Sequence, residues 1–375
     1  MKAEEKKELV EFLQKLIQIN SENPPGNESK MAHFIKKFLL KNDIDSEIIH
    51  LEEGRDSLVV KILGKEERNI AFCGHLDTVR VKEEYWKKPP FQGLIENDRM
   101  YGRGTSDMKG GVAAMIYTAI LLKREGIIPQ KTILLALTAD EEWEYRGAKY
   151  LTDKGYFDQT DFLIITEPSN FQVSNGEKGE LLIKAKFFGK SAHGSNPELG
   201  VNTVIAGSKF VLEVSEEYNK LFNHDPLWGK TSVNIGQFHG GVHVNVVPNY
   251  SEIQLDFRVI SEEDKKKVID MIKTTGEHIV KKHRVRFEVE IFRYKYPIFT
   301  DPKNPYIQKF MQAAGVDKVI ITRYCTDGAT IIPEKKIPFI IYGPGDVAQA
   351  HQNDEYIELE SLYRAVDSFI DFLKT

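Results

Sequence analysis

Thr132-Ile133-Leu134-Leu135-Ala136-Leu137-Thr138-Ala139-Asp140-Glu141-Glu142-Trp143 runs an unbroken apolar stretch almost directly into a pair of glutamates. Such a run reads as a buried strand. The carboxyl ends of these strands are where α/β folds place their chemistry. Two adjacent carboxylates at that point repel each other unless a cation lies nearby or one of them transfers a proton. The doublet therefore points to a metal site with its own base.

Strands and helices alternate on both sides of this stretch. Leu9, Val10, Leu13, Leu16 and Ile17 recur at helical spacing, and Pro24-Pro25-Gly26 ends that helix. A second amphipathic helix is expected over residues 29–40, and strands over 57–63 and 69–73. Residues 110–123 are small and apolar and predict a buried helix. A helix near Ala148 and a strand over 162–165 follow, which argues for an α/β layer. From about residue 180 the order becomes strand 181–188, helix 202–218, strands 231–238 and 252–259, helix 262–282, strand 284–292. That is the β-α-β-β-α-β of a small independent domain. A helix over 307–314, a strand over 338–342 and a terminal helix from Leu359 return to the first pattern. The expectation is a discontinuous α/β catalytic domain, residues 1–179 and 294–375, interrupted by a ferredoxin-like (βαββαβ) lid or dimerisation domain over 180–293.

Composition excludes several classes. At 375 residues, with roughly 150 per domain, about two domains are expected. A hydrophobic content of 41% and a charged content of 29% suit a soluble globular enzyme. The net charge of −5, without a long basic stretch, argues against nucleic acid. Cys73 and Cys325 are too few for a disulfide framework, which suggests a reducing compartment. The charged N-terminal stretch does not read as a signal peptide. No run of 18 apolar residues predicts a membrane span. The expected location is the cytoplasm.

Five stretches carry metal-ligand chemistry. They are His75-Leu76-Asp77 after Phe72-Cys73-Gly74, Asp107 within Gly-Arg-Gly-Thr-Ser-Asp-Met-Lys-Gly-Gly, the Glu141-Glu142 doublet, Glu167 in Ile-Thr-Glu-Pro, and His351 in Gln-Ala-His-Gln-Asn-Asp-Glu. Two imidazoles with several carboxylates suit zinc, and also cobalt or manganese. Each stretch alone has an ordinary reading. A His-x-acid triplet arises by chance about once or twice in such a chain, and His50-Leu51-Glu52 is a second one. Asp107 alone reads as a helix cap and the doublet as a solvated first helical turn. It is the joint pattern that points to a metal centre.

In order and spacing the five stretches resemble the metallo-peptidase and deacylase family of acetylornithine deacetylase, succinyl-diaminopimelate desuccinylase, aminoacylase and carboxypeptidase G. The resemblance covers the whole chain. It implies two divalent ions, zinc above all, bridged by Asp107. His75 and Glu167 would complete one ion, Glu142 and His351 the other, with Glu141 as general base. Asp77 would orient His75, as metal-bound imidazoles usually require. A cis peptide after Asp107 is also implied. Two divalent ions would balance these three ligand carboxylates and a bridging hydroxide, leaving Glu141 free to carry a proton. His193, in Lys-Ser-Ala-His-Gly-Ser-Asn-Pro, resembles a histidine that reaches the active site from the partner subunit of a homodimer and steadies the oxyanion. Asn245 and Arg258 resemble substrate-contacting lid residues. The turn at Asp327-Gly328 resembles a polar loop near the substrate, where backbone N–H groups could hold a carboxylate.

The expected reaction is hydrolysis of the amide bond of an N-acyl amino acid, in the manner of acetylornithine deacetylase, whose context around His351 is the more similar. A dipeptidase or carboxypeptidase acting on a short peptide would use the same centre. Desuccinylases carry a basic pair where this chain has Glu177-Lys178. Glu177 should repel a succinyl tail, and Lys178 is left as a substrate-binding candidate. A non-catalytic relative would lack Glu141 or a ligand, and none is missing.

Overall fold

The computed structural model describes residues 1–374, which divide into two compact units. The first comprises Met1–Gly176, Phe299–Ile320 and the segment from Thr326 onward; the second comprises Glu177–Ile298 with Ile321–Cys325. The breaks fall a few residues outside the expected 179/180 and 293/294. The reason is the strand Arg286–Lys295, which stays paired as far as Lys295 opposite Glu180.

The first unit is built on a mixed α/β sheet. Its order runs Ser46–Glu52, Arg55–Ile62, Lys131–Thr138, Glu66–His75, Thr160–Ile165, Phe339–Ile341, Val173–Glu177. The middle strands Lys131–Thr138, Glu66–His75 and Thr160–Ile165 are parallel neighbours. His75 lies opposite Thr138, and Cys73 opposite Ile165, so the three strands end at one edge. The apolar run in Lys131–Thr138 is buried from Thr132 on, as a strand covered on both faces must be.

Helix Gly110–Arg124 buries its first 13 residues. A helix that is apolar all round must be enclosed by the rest of its unit. The buried faces of helices Ala3–Gln18 (Leu9, Phe12, Leu13, Leu16, Ile17) and Leu359–Lys374 (Leu362, Ala365, Val366, Phe369) join it in one core. Gly111 sits where a Cβ would lie 1.9 Å from the Thr166 carbonyl oxygen, one residue before Glu167. This glycine lets the start of the helix, and Asp107 just before it, approach the end of the neighbouring strand.

The second unit has strand Gly179–Phe188, helix Thr203–Leu221, strands Ser232–Gly240 and Tyr250–Val259, helix Glu262–His283 and strand Arg286–Lys295. Its four strands are antiparallel, with Tyr250–Val259 and Gly179–Phe188 in the centre and the other two at the edges. Both central strands alternate buried and half-buried residues, the signature of a sheet covered on one face. Asn202 caps the first helix through Val204 N and Ile205 N, and Ser261 the second through Asp264 N.

One helix was unforeseen. The Asp-Gly turn at 327–328 is the start of helix Gly328–Lys335, which carries Pro333 inside it. Among the described residues no helix is long and apolar enough to cross a membrane.

Gly111→Ala should lower the stability of the first unit by about 2 kcal/mol or more, because the new methyl meets backbone that cannot rotate away. Thermal melting of the variant checks this; an unchanged midpoint would mean that the helix start can shift.

Candidate metal centre

Three of the five stretches leave the same sheet edge. His75 is the last residue of its strand, Glu167 follows the Thr160–Ile165 strand by two residues, and Glu141 follows Lys131–Thr138 by three. Asp107 comes in from the turn before the buried helix, and His351 from a loop near the chain's end.

Asp107 is the hub. Its Oδ1 lies 3.1 Å from His75 Nε2 and its Oδ2 3.3 Å from His351 Nε2. Glu167 Oε1 is 3.5 Å from His75 Nε2, and Glu142 Oε2 is 3.1 Å from His351 Nε2. Glu141 Oε2 stands farther off, 3.9 Å from His75 Nε2. Donor atoms of His75, Glu141 and Glu167, and those of His75, Asp107 and Glu142, fall within 4.8 Å of one another. Imidazole nitrogens and carboxylate oxygens converging at this spacing fit divalent ions such as zinc. The Asp107–Met108 peptide is cis, as the resemblance implied.

The imidazole of His75 is held in one orientation. Its Nδ1 lies 3.0 Å from the Asp77 backbone oxygen, which can only accept, so Nδ1 carries a proton and Nε2 is the nitrogen turned toward Asp107 and Glu167. The Asp77 carboxylate is 3.6 Å from that nitrogen and has other partners. Its Oδ1 accepts the amide of Glu141 and its Oδ2 that of Glu142, each at 3.1 Å. Asp77 thus grips the backbone of the doublet with its side chain and His75 with its main chain.

Glu355 plays a similar part for Asp107, and sequence reasoning missed it. Fully buried, it accepts the amides of Gly104 (2.9 Å), Ser106 (2.8 Å) and Asp107 (3.0 Å) and pairs with Arg103 at 2.8 Å. Its signal was its place four residues after His351 in a polar run. Asn23, Arg55 and Asp140 form a buried network behind the doublet that was also unforeseen; a single arginine at the start of a strand leaves no mark in sequence.

The remaining candidates have separate surroundings. The second triplet histidine, His50, pairs with Asp56 at 2.8 Å and takes no part in the centre. Asp327 is buried and accepts from Thr138 Oγ1 at 2.5 Å. The Gly328 N–H donates to Thr326 Oγ1 at 3.0 Å. His193, Asn245, Arg258 and Lys178 belong to the second unit. His193 is exposed, with Nδ1 2.7 Å from Ser195 Oγ, and its strand-like segment faces that of Asn245, whose oxygen accepts from Gly194 N. Arg258 pairs with Asp256 at 3.0 Å and Glu180 at 3.1 Å. Lys178 Nζ donates to the Lys230 carbonyl at 2.5 Å. Glu177 is fully buried.

A family model described as peptidase family M20/M25/M40 matches residues 71–375. A probable succinyl-diaminopimelate desuccinylase of Staphylococcus aureus (strain N315) is 31% identical over 98% of this chain and 98% of its own length. An acetylornithine deacetylase of Vibrio atlanticus is 28% identical over 91% and 90%. Among solved structures, a tripeptidase from Staphylococcus aureus has the same fold, with a TM-score of 0.83 and 24% identity over 98% of both chains.

Without cations the centre is under electrostatic load. Burial raises the carboxyls of Glu141 and Glu167 well above their usual range; Glu167 and Glu142 reinforce this at Glu141, and Asp107 at Glu167. Burial and Asp107 also raise Glu142. At His75 burial opposes the charge, but Glu167, Asp107 and Glu141 outweigh it and hold the imidazole well above its ordinary value. Hydrogen bonds that its imidazole donates to the Asp107 and Glu142 carboxylates push His351 up to about 10. Burial works against the charge of Asp107, yet its bonds to His351 and His75 win and keep it low.

A group that holds its proton more tightly when folded contributes stability that is lost as pH rises through its folded pKa. For His351 that window runs from its usual 6.5 to about 10. Asp107 has the opposite sign and acts only below its usual 3.8. The melting temperature of chelator-treated protein should therefore fall between pH 6.5 and 10. Saturating zinc should remove most of that fall, since metals bind the deprotonated ligands. A flat metal-free profile would contradict this electrostatic account.

Proposed function

The chain belongs to peptidase family M20/M25/M40 and is a metal-dependent hydrolase of that class, and from this we propose that it removes the acyl group of an N-acyl amino acid by hydrolysing the amide bond. The observation that carries the reading is the division of Asp107's two oxygens between His75 and His351, with one glutamate beside each imidazole.

Two divalent ions, zinc above all, would be held by Asp107 as the bridge, with His75 and Glu167 on one side and Glu142 and His351 on the other. Bound there, they acidify a water and polarise the scissile carbonyl. Glu141 is the one carboxylate of the group left over. Its carboxylate takes the proton of the attacking water and returns it to the leaving amine nitrogen. Its greater distance from His75 Nε2, compared with Asp107 and Glu167, supports that role. Asp77 keeps His75 in the tautomer whose Nε2 can bind metal. His193 donates to the oxyanion from the partner subunit of a homodimer, and the second unit acts as a ferredoxin-like lid. Residues 1–179 with 294–375, in round terms, form the metal-binding domain. Asn245, Arg258, Lys178 and the Asp327-Gly328 segment are assigned to the substrate side. The enzyme works in the cytoplasm and takes neither nucleic acid nor membrane as a partner.

An acetyl group is the first choice for the acyl moiety. The names of the 31% identical relatives, together with the burial of Glu177, favour a succinyl group as the second. A short peptide is the substrate of the remaining reading.

Glu141→Ala should keep two metals per chain and lose about 10²–10⁴-fold in kcat. Glu142→Ala should lose a metal. Metal analysis and steady-state kinetics on the two variants check the division, and metal loss in Glu141→Ala would move that residue into the ligand set. Stripped enzyme should be inactive. With zinc, cobalt or manganese restored, it should cleave N-acetyl or N-succinyl amino acids faster than dipeptides. Faster dipeptide cleavage, or full activity without metal, would overturn the assignment.

A further inference from the structure

Behind the doublet a chain of buried polar groups joins Asp77 to residues that have no role above, Asn23, Asp140, Arg55 and Glu28. Asp140 is the residue at which the chain leaves the Lys131–Thr138 strand and turns into Glu141. Its φ of +70° is left-handed, a conformation that aspartate adopts more readily than most residues but that its surroundings must still favour. Here it is fixed from three sides. Oδ1 accepts from Arg55 Nη2 at 2.7 Å and from Asn23 Nδ2 at 2.8 Å, and Oδ2 accepts from Arg146 Nε at 2.6 Å. Its own N–H donates to Glu28 Oε1 at 3.1 Å.

Arg55 spans the gap between these groups. Its Nε is 2.7 Å from Glu28 Oε2 while Nη2 holds Asp140 and Nη1 donates to the Pro25 carbonyl at 2.9 Å. Gly26 makes room for it, since a Cβ there would lie 2.2 Å from Arg55 Nε. Asn23 closes the other link. Its NH2 group donates to Asp140 Oδ1 and to Asp77 Oδ2, both at 2.8 Å. The reverse amide orientation would set a carbonyl oxygen against two carboxylates, so chemistry fixes this one. Asn23 and Arg55 are 4% exposed, and Asp77 and Asp140 are sealed from solvent. The continuous path is Glu28, Arg55, Asp140, Asn23, Asp77, and it ends on the amides of Glu141 and Glu142.

We propose that Arg55 and Asn23 are positioning residues for the reaction, holding through Asp140 and Asp77 the backbone that aims Glu141 and Glu142. They touch neither substrate nor reacting atoms. Their effect passes through a backbone placement in which about 1 Å can cost 10²-fold in rate. The proposal rests on the reading of Glu141 as base and Glu142 as ligand.

The test uses Asn23→Ala, Arg55→Met and Arg55→Lys in the full, zinc-loaded enzyme, with Glu141→Gln as the control. Asn23→Ala should lose about 10- to 100-fold in kcat, while KM stays within about threefold and metal content stays at the wild-type level. Arg55→Met should lose at least as much, and Arg55→Lys should recover part of it by keeping the charge on Asp140. If Arg55→Met does not fold, Asn23→Ala and Arg55→Lys decide. A kcat near wild type in folded, metal-loaded Asn23→Ala overturns the proposal. So does a loss that merely tracks the fraction of folded or metal-loaded protein. Activity in Glu141→Gln would instead remove the base assignment. An inactive Glu141→Gln beside a fully active Asn23→Ala removes only the positioning role.

Discussion

Asp107 divides one carboxylate between two imidazoles from distant parts of the chain, Oδ1 toward His75 and Oδ2 toward His351. The rest of the first unit depends on this arrangement. Around it stand Glu141, Glu142 and Glu167, all withdrawn from bulk water. Such a concentration of buried acid costs far more than two imidazoles return, because an uncompensated buried charge is expensive. Cations are the physical remedy, and two groups of donor atoms, His75 with Glu141 and Glu167 and His75 with Asp107 and Glu142, lie close enough together to hold them. The burial of Gly111 against Thr166 and the parallel register of the three middle strands keep those sets together.

A second tier of acids serves the first in a different way. Asp77 and Glu355 place no oxygen in the donor groups. Each accepts amide N–H groups from the residues that carry donors: Glu141 and Glu142 in one case, Ser106 and Asp107 in the other. A buried carboxylate that accepts several backbone amides is well satisfied. It also fixes where the next side chain begins. Arg103 compensates Glu355, and Arg55, Arg146 and Asn23 compensate Asp140 and its neighbour. Precision at the centre thus comes from hydrogen-bonded backbone as much as from packing.

The sequence displayed the first tier and concealed the second. An apolar run ending in Glu141-Glu142 announces a strand edge with charge on it, and His75 repeats the pattern after Cys73-Gly74. These signals are local, so they survive reading in one dimension. The partners of Arg55 and Asn23 are not local: Asp140 lies 85 residues from Arg55 and 117 from Asn23. Nothing near either residue distinguishes a network arginine or asparagine from a surface one. Asp77 was legible as a partner of His75, but its second task, accepting the amides of Glu141 and Glu142, depends on residues 64 and 65 positions away. The helix at 328–335 was missed because Asp-Gly and Pro333 are turn signals that tertiary context overrode. In the second unit the element order was legible from periodicity, whereas the pairing of Arg258 with Glu180 and Asp256 needed the strand register to bring them together.

The central claim is that Asp107 bridges two ions and leaves Glu141 outside their coordination. An anomalous difference map from crystals of the zinc-loaded protein tests it most directly. The account predicts two peaks flanking the Asp107 carboxylate, one beside His75 and Glu167 and the other beside His351 and Glu142. A single peak, or a peak coordinated by Glu141 in place of Asp107, would contradict it.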